Sequence, residues 1–354
     1  MQPIVSDQYS VFFDDTLSSL RSFISESNYS KIFFLCDRIT SEKCLPYVVS
    51  NLPDLTEYDI IEVDEGEENK NIDYCIGIWN MLLDFGADRN SLVINVGGGV
   101  ITDMGGFAAA TYKRGIDFVQ VPTTLLSQVD ASVGGKTGID LGSVKNIIGT
   151  FTLPKAVFIS TRFLETLNRR ELISGFAEII KHGLIYDRSY FELISETYPL
   201  KVGQEIIYRS VAIKNEVVTI DPKEKGLRKI LNFGHTIGHA VESYFLDKGK
   251  NALLHGEAIA IGMICEAFLS HSCNNLPKED LNLICQYLCK VFPVRAIDES
   301  VYPDLISVMQ NDKKNEKDKI GFALLSKIGK CDFNIYPDEK QIIESLGFYN
   351  DLLK

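Results

Sequence analysis

The chain has 354 residues, enough for two domains of ordinary size with a substantial core. Its 36 basic and 48 acidic residues give a net charge of −12, which disfavours nucleic acid or a membrane surface as the main partner. No uncharged apolar stretch of about 18 residues occurs, and the amino-terminal segment lacks the features of a signal peptide. Its 8 cysteines show no CxxC pairing, so we expect free thiols and a cytoplasmic location.

The first 155 residues alternate short β-rich runs with helical patterns. Residues 31–36 and 59–63 have the composition of strands, and apolar residues recur with helical spacing over 71–85. Strands that alternate with helices indicate a parallel sheet. We therefore predict an α/β domain over residues 1–155.

Helical periodicity dominates the second half of the chain, where we predict a mostly α-helical domain over residues 156–354. The predicted helices cover residues 161–183, 187–220, 228–247, 252–274 and 277–291. One exception, residues 319–336, has the pattern of a hairpin. A cleft between the two domains is the default place for a small-molecule site.

A glycine-rich turn follows a strand pattern at residues 91–96. Gly97, Gly98 and Gly99 let backbone amides approach a diphosphate, and a helix that begins near Val100 adds the positive end of its dipole. A turn that only packs a helix against a sheet is the alternative.

Polar side chains follow the next strand pattern, at residues 118–121, where Thr123 and Thr124 place hydroxyls at the strand's carboxyl end. A glycine-rich segment comes next, and its polar residues are Asp130, Lys136, Lys145 and Asn146. Two lysines among glycines suit a phosphate. A solvated loop with incidental charges is the alternative.

Two acidic features fall where the adenosine end of a dinucleotide could cross the sheet edge. One is Asp37, which follows the strand at residues 31–36. The other is the segment Glu65, Gly66, Glu67, Glu68, Asn69 and Lys70. A helix cap and a plain loop are the alternatives.

The helical half contains every histidine of the chain. His235 and His239 are four residues apart, so they project from one helix face as a candidate metal pair, with ordinary core or surface histidines as the alternative. Carboxylate, imidazole and cationic groups recur on successive helices at Glu178, Lys181, His182, Lys214, Glu224, Arg228, His255 and Glu257. We interpret His271 as structural or solvated.

Six motifs together resemble the 3-dehydroquinate synthase family, in order and with compatible spacing. They are GGGVITD, VPTTLLSQVDASVGGKTGID, KNIIGTF, GFAEIIKHG, GLRKILNFGHTIGHA and LHGEAIAIGM. The resemblance covers nearly the whole chain. It implies a Rossmann-like amino-terminal domain, a helical carboxy-terminal domain and a homodimer.

The resemblance implies three metal ligands, Glu178, His235 and His255. His239 would then face the substrate, which leaves an open metal position as a catalytic zinc site requires. This assignment replaces the His235–His239 pair that spacing alone indicates. The implied cofactors are NAD and one divalent metal ion, zinc or alternatively cobalt.

The resemblance also implies contacts for NAD and for the substrate. Besides the segment from Glu65 to Lys70, the NAD contacts would be Gly99, Val100, Ile101, Thr102, Asp103, Thr123, Thr124, Lys136, Lys145, Phe163, Leu164, Glu165 and Thr166. The residue pattern adds Asp37, Gly97 and Gly98 to these predicted NAD contacts. The phosphate contacts would be Arg114, Lys136, Asn146 and either Lys313 or Lys314. Lys214 and Arg228 would bind the substrate's acid end, with Asp130, Lys181, Glu224 and Asn232 completing the pocket. The residues with implied catalytic roles are Lys136, Asn146, Lys181, His239, Asp130 and Glu224.

The implied reaction converts 3-deoxy-D-arabino-heptulosonate 7-phosphate, a phosphorylated keto acid, to 3-dehydroquinate and phosphate in the shikimate pathway. Two alternatives keep the fold: another sugar phosphate cyclase, and a metal-dependent alcohol or glycerol dehydrogenase, which would release NADH stoichiometrically. Lys214 with Arg228 favours a carboxylate-bearing substrate, and the paired lysines with Asn146 favour a phosphate.

The sequence departs from the family pattern at two positions of the glycine-rich motif. Thr102 stands where many relatives carry glycine, and many relatives carry an alanine near the position of Gly105. Thr102 would narrow the diphosphate approach if its side chain pointed toward the nucleotide.

Overall fold

The computed structural model describes residues 1–6, 8–142, 144–196, 201–246, 252–293, 295–310 and 319–354. The chain divides into two compact units. Unit 1 comprises Met1–Asn168 and Gly203–Asn215, and unit 2 comprises Arg169–Val202 and Glu216–Lys354. Unit 1 extends past the predicted boundary at residue 155 because the strand Ala156–Ile159 belongs to its sheet.

Unit 1 contains a seven-stranded sheet and a separate two-stranded hairpin. The strands are β1 (Ile4–Val5), β2 (Ser10–Phe13), β3 (Ile32–Asp37), β4 (Asp59–Val63), β5 (Leu92–Gly97), β6 (Asp117–Pro122), the hairpin strands β7 (Lys136–Leu141) and β8 (Val144–Phe151), and β9 (Ala156–Ile159). The sheet order is β1-β2-β9-β6-β5-β3-β4, and every pair except β1–β2 is parallel. The predicted parallel sheet is confirmed.

The strand order creates a switch point between β3 and β5. After β3 the chain adds β4 on one side, and then returns to add β5 on the other side. Ligands of such sheets bind outside the carboxyl ends of the strands where the order reverses. Asp37 and Gly97 end these two strands, so this edge is the candidate nucleotide site.

Helices of unit 1 are α1 (Ser18–Ser25), α2 (Arg38–Lys43), α3 (Leu45–Ser50), α4 (Ile72–Asp84) and α5 (Gly99–Thr111). Alternate residues of β3 belong to different apolar clusters: Phe33 and Leu35 lie in one, and Phe34 and Cys36 lie in the other. Because side chains alternate across a strand, the sheet is covered on both faces.

The glycine-rich segment after β6 forms an ordered hairpin of β7 and β8, which pattern reading did not identify as strands. The pairing is antiparallel and aligns Gly138 with Gly149. A Cβ on Gly149 would lie 2.2 Å from the carbonyl oxygen of Thr137, so a larger residue would separate the strands. Glycine here permits close strand pairing in addition to turning the chain.

Unit 2 is mostly helical, and α8 begins in unit 1 and ends in unit 2. The remaining elements are α6 (Arg169–Tyr186), α7 (Arg188–Glu196), α8 (Gln204–Ile220), α9 (His235–Leu246), α10 (His255–Cys273), α11 (Lys278–Val291), α12 (Tyr302–Gln310), α13 (Glu339–Asp351) and the hairpin β10 (Phe322–Lys327) with β11 (Lys330–Ile335). The predicted hairpin is confirmed. In the described part of the chain, no helix has both the length and the apolar character needed to cross a membrane.

Three predicted helices differ from the structure. Residues 161–183 contain a 3₁₀ turn (Thr161–Glu165) before α6, and residues 187–220 contain both α7 and α8. Residues 228–247 divide at Gly234, which has a φ of 80°. Because that left-handed conformation interrupts an α-helix, His235 becomes the first residue of α9.

Candidate active site

Three side chains that could bind a metal ion converge in unit 2. Glu178 of α6, His235 of α9 and His255 of α10 each offer a ligand atom, and these atoms lie within 4.8 Å of one another. The Nε2 atoms of both histidines lie 3.5 Å from Oε1 of Glu178. The structure therefore brings together the three residues that the resemblance implies as ligands.

A close helix contact places His255 beside Glu178. A Cβ on Gly256 would lie 1.9 Å from the carbonyl oxygen of Ser174, and the Gly256 amide donates to Ser174 Oγ at 2.9 Å. Ser174 lies one turn before Glu178 on α6, and Gly256 directly follows His255. The absence of a side chain at position 256 thus allows α10 to begin against the ligand-bearing turn of α6.

A buried carboxylate of α10 positions the backbone around His235. Glu266 accepts hydrogen bonds from the amides of Gly234 at 2.6 Å and Ile237 at 3.0 Å. These amides lie at the amino terminus of α9, where a carboxylate satisfies free donors and complements the helix dipole. His235 begins that helix, so Glu266 fixes its backbone.

Each ligand histidine has a hydrogen-bond partner for Nδ1. His255 Nδ1 lies 3.2 Å from Glu242 Oε2, and His235 Nδ1 lies 3.1 Å from the carbonyl oxygen of Phe233. Because both partners are acceptors, Nδ1 donates in each ring, and Nε2 is the nitrogen directed toward Glu178. Both imidazoles are held in the orientation that a metal ion bound at Nε2 requires.

The two imidazoles have different electrostatic surroundings. Burial lowers the pKa of His235 well below its usual value, and the charge of Lys181 acts in the same direction. Burial also lowers the pKa of His255, but Glu242 and Glu178 outweigh it and raise that pKa to about 10. Lys181 forms an ion pair with the buried carboxylate of Glu178.

A divalent cation fits this donor set. One carboxylate and two imidazoles are ligands typical of a catalytic zinc site, and related transition-metal ions accept the same set. The carboxylate of Glu178 is fully buried, where an anion needs nearby positive charge. The histidines keep Nε2 toward it, so the observed orientations suit a cation there.

His239 lies beside the candidate ligands without being one of the three. Its ring centroid is 5.0 Å from that of His235 and 5.9 Å from that of His255. His239, Glu242 and His255 form a second group whose ligand atoms lie within 4.8 Å. The four-residue spacing predicts that His235 and His239 lie on one side of the helix, and their rings are adjacent. The second histidine at Glu178, however, is His255 and not His239.

Replacing Glu242 with alanine should weaken metal binding about 10- to 100-fold, because His255 loses the acceptor that orients its ring. Glu242→Gln, which retains an acceptor, should lose less. Affinity for zinc can be measured by competition with a chromophoric chelator on metal-free protein. Glu344→Gln, at an exposed position, serves as the control. Unchanged affinity in Glu242→Ala would show that the carboxylate does not support the site.

The glycine turn lies at the switch point of the unit 1 sheet. Gly97 ends β5, and Gly98 is the amino-terminal cap position of α5. The Gly97 carbonyl accepts from the Thr123 amide at 3.0 Å, and a Cβ on Gly98 would lie 3.0 Å from Thr124 Cγ2. Among the described residues no side chain caps α5. The turn is therefore packed on its inner side and retains amide donors suited to an anion.

A buried lysine connects three segments with predicted ligand contacts. Lys70 Nζ donates to Asp103 Oδ2 at 2.6 Å and to Asn146 Oδ1 at 2.7 Å. Burial would lower the pKa of Lys70, but Asp103 and then Glu67 raise it above its usual value. Lys145 Nζ lies 3.4 Å from Glu67 Oε1. The acidic segment, α5 and the β7–β8 hairpin thus meet at one place in unit 1.

Predicted substrate residues also form pairs within each unit. In unit 1, Lys214 Nζ lies 2.8 Å from Asp130 Oδ1 and donates to the Asp130 carbonyl oxygen at 2.6 Å. In unit 2, Asn232 Nδ2 donates to Glu224 Oε1 at 2.6 Å. Arg228 is buried and donates to the Pro222 carbonyl oxygen at 2.8 Å.

Other predicted nucleotide contacts have structural roles. Asp37 caps α2, since Oδ1 accepts from the Thr40 amide at 2.8 Å, as the helix-cap alternative predicts. Phe163 is buried with its ring edge-on to Tyr47 at 5.8 Å. The side chain of Thr102 is also buried, and its Oγ1 donates to the Gly99 carbonyl oxygen at 3.2 Å. It therefore points into the protein.

The remaining predicted phosphate contacts differ in what the structure describes. Arg114 and Lys136 are exposed, and Arg114 has a φ of 72°. Lys313 and Lys314 lie outside the described residues.

Glu257, one of the polar residues noted in the helical half of the sequence, accepts a hydrogen bond from the Leu254 amide at 2.9 Å and forms an ion pair with Arg170. It stabilises the start of α10.

Sequence reasoning missed Glu242 and Glu266. Glu242 could have been found, because His235, His239 and Glu242 recur at the i, i+4 and i+7 positions of one helix face. Glu266 lies mid-helix in an apolar run, and nothing in its spacing indicates that it holds the amino terminus of a different helix.

Comparison with known proteins gives matches over most of the chain. Residues 60–174 match the family model for the 3-dehydroquinate synthase N-terminal region, and residues 175–315 match that for the C-terminal region. A curated relative named 3-dehydroquinate synthase, from Parabacteroides distasonis, is 43% identical over 351 residues, which cover 98% of this chain and 99% of the relative.

Two solved structures have the same fold. A 2-deoxy-scyllo-inosose synthase in complex with carbaglucose-6-phosphate, NAD+ and Co2+ has a TM-score of 0.86 at 26% identity, with 98% of each chain covered. A 2-epi-5-epi-valiolone synthase from Streptomyces hygroscopicus, with NAD+ and Zn2+ bound, has a TM-score of 0.83 at 23% identity, with 99% of each chain covered. The second shows likeness of fold alone.

Proposed function

Because the chain belongs to the 3-dehydroquinate synthase family, we propose that it converts 3-deoxy-D-arabino-heptulosonate 7-phosphate to 3-dehydroquinate and phosphate. The observation that carries this proposal is the convergence of Glu178, His235 and His255, with both imidazoles oriented for a cation. The full-length similarity to a curated synthase supports it.

The proposed reaction has four stages: oxidation of a secondary alcohol, β-elimination of phosphate, reduction of the ketone and intramolecular aldol closure. When bound, NAD supplies a hydride acceptor that is regenerated in each turnover, and a divalent metal ion supplies a Lewis acid. The protein must orient the substrate, retain the cofactor and move protons between these stages.

In unit 2 the proposed roles follow from charge and position. Glu178, His235 and His255 hold the cation. Lys181 lies against Glu178, where its ammonium group is held in a buried setting and can bind a substrate oxygen. His239, whose ring is next to both ligand histidines, faces the substrate and exchanges a proton. Glu224 and Asn232 act as a hydrogen-bonded pair in the same pocket.

In unit 1 the glycine turn binds the NAD diphosphate, and the β7–β8 hairpin binds the substrate phosphate. Lys136 supplies positive charge, and Asn146 is held by Lys70 at 2.7 Å. The departing phosphate accepts the proton that is removed in the elimination, so Lys136 and Asn146 orient a base as well as a leaving group. Arg114 and one lysine of Lys313 and Lys314 complete this set in the proposal.

Lys214 and Arg228 are proposed to bind the substrate carboxylate, and the Lys214–Asp130 pair holds the lysine in place. This feature separates the synthase from cyclases whose sugar phosphate substrates lack a carboxylate. The higher identity to the curated dehydroquinate synthase than to the inosose synthase supports the same choice. A dehydrogenase of similar fold would need no phosphate-binding lysines.

The test is phosphate release from the seven-carbon substrate with a catalytic trace of NAD and zinc, while absorbance at the NADH band is recorded. We expect many turnovers of phosphate without net NADH, and 3-dehydroquinate as the product by mass spectrometry. Stoichiometric NADH would indicate a dehydrogenase. Absence of phosphate release would exclude the synthase, and turnover of a sugar phosphate lacking a carboxylate would indicate another cyclase.

Three further properties are part of the proposal. Zinc is the proposed metal and cobalt the alternative, which metal analysis of purified protein would decide. A cytoplasmic location is supported by the free thiols of all eight cysteines. A homodimer, which the family resemblance implies, is tested by sedimentation equilibrium.

A further inference from the structure

Two buried amide side chains lie side by side in the central strands of unit 1. Asn95 of β5 is paired with Gln120 of β6, and their relative exposures are 0% and 3%. Asn95 Nδ2 donates to Gln120 Oε1 at 3.1 Å, and Gln120 Nε2 donates to the Thr102 carbonyl oxygen at 2.9 Å. Buried amides are costly unless they are hydrogen-bonded, so this chain of bonds calls for a structural reason.

The chain of bonds has one direction. A carbonyl oxygen only accepts, so Gln120 must present Nε2 to Thr102 and Oε1 to Asn95. Asn95 must then present Nδ2 to Gln120, which directs its Oδ1 away. The backbone of α5 thereby fixes the orientation of both amides, and both amides fix the backbone of α5 in return.

Asn95 Oδ1 points at the backbone of Gly105. A Cβ on Gly105 would lie 2.1 Å from this oxygen, so only hydrogen fits there. A Cα–H group toward a carbonyl oxygen makes a weak hydrogen bond. Asn95 Oδ1 thus occupies the space that a side chain at position 105 would need.

Thr102 belongs to the first turns of α5. Its amide donates to the Gly98 carbonyl oxygen at 3.0 Å, and its Oγ1 bonds to Gly99 at 3.2 Å. The hydrogen bond from Gln120 Nε2 to the Thr102 carbonyl oxygen therefore also restrains the glycine turn, to which Thr102 is bonded. We propose that the Asn95–Gln120 amide pair positions the amino terminus of α5 for the diphosphate of NAD. This inference rests on the proposed NAD binding of the glycine turn.

Two variants of the full chain, loaded with zinc, separate positioning from stability. Gln120→Met keeps the side-chain length but removes the donor to Thr102, and it leaves Asn95 Nδ2 without its acceptor. The triple variant Asn95→Ala/Gly105→Ala/Gln120→Met removes the second amide as well. The alanine methyl group at position 105 fills part of the vacated space, with a shift of the Leu35 Cδ2 methyl group, which lies 2.6 Å from that position. Replacing both partners of a buried hydrogen bond by apolar groups can be nearly neutral for stability.

We expect NAD binding, measured by titration calorimetry, to weaken about tenfold in both variants, since both lack the Gln120 donor. The urea midpoint should fall in Gln120→Met and recover in the triple variant. Trp79, the only tryptophan, reports unfolding, and its Nε1 donates to the Ala108 carbonyl oxygen of α5 at 3.1 Å.

Unchanged NAD affinity in Gln120→Met would overturn the inference. The inference would also be overturned if the triple variant regained both its stability and its affinity for NAD. The weaker NAD binding of Gln120→Met would then result from its lower stability and not from the missing Gln120 donor. If Gln120→Met does not fold, the triple variant alone decides: tenfold weaker binding supports the inference and wild-type affinity overturns it. Failure of the wild-type protein to bind NAD would instead contradict the proposed function.

Discussion

Replacing His255 with alanine is expected to abolish both turnover and metal retention. The imidazole supplies one of the three convergent ligand atoms, and alanine leaves two ligands for a site that needs at least three from the protein. The protein should remain folded, because Gly256 and Glu257 still hold the start of α10. Metal content by plasma mass spectrometry, turnover and circular dichroism together check this prediction.

A matched control for this variant lies on the same helix. His271 is near the carboxyl end of α10, where its Nδ1 lies 2.7 Å from the Leu276 carbonyl oxygen. His271→Ala should retain the wild-type metal content and turnover. Undiminished metal in His255→Ala would refute the assignment of His255 as a ligand.

Lys136→Ala is expected to reduce turnover about 100-fold or more, even at saturating NAD, because a charged donor at a developing anionic centre contributes this much. The side chain is exposed at the start of β7, and substitutions at exposed positions usually change stability by less than about 0.5 kcal/mol. A large loss of activity would therefore report lost phosphate contacts. Steady-state phosphate release measures it.

Lys155→Ala provides the comparison for Lys136→Ala. Lys155 is also an exposed lysine of unit 1, and its ammonium group lies 3.3 Å from Asp117. It has no proposed part in the reaction, so its activity should equal that of the wild type. Near-normal turnover in Lys136→Ala would exclude the proposed role in phosphate binding.

The parallel sheet could be predicted because its signals are local. The strands β3, β4, β5 and β6 are short apolar runs with abrupt ends, and their composition is sufficient to identify them. The β7–β8 hairpin was not recognised as strands, since glycine is depleted in most strands. Gly138 and Gly149 are used there for close approach, which composition cannot distinguish from a flexible loop.

The metal site was only partly accessible from residue spacing. His235 and His239 are close in sequence, so a pairwise rule selects them. The third position near Glu178 depends on how α10 meets α6, which the contact between Gly256 and Ser174 determines. Spacing within one helix carries no information about that contact. The family resemblance identified His255, because a family motif marks a functional residue whatever contact between helices brings it to the site.

The packing of α9 against α10 has a consequence for motion in unit 2. A Cβ on Gly262 would lie 2.0 Å from the carbonyl oxygen of Gly234, and Glu266 of α10 binds the first amides of α9. The two helices are thereby joined along their backbones and must shift as one body. Because Gly256 makes the same kind of backbone contact with Ser174 of α6, a rearrangement that moves α10 carries Glu178, His235 and His255 together, and the spacing of the three ligand atoms is preserved.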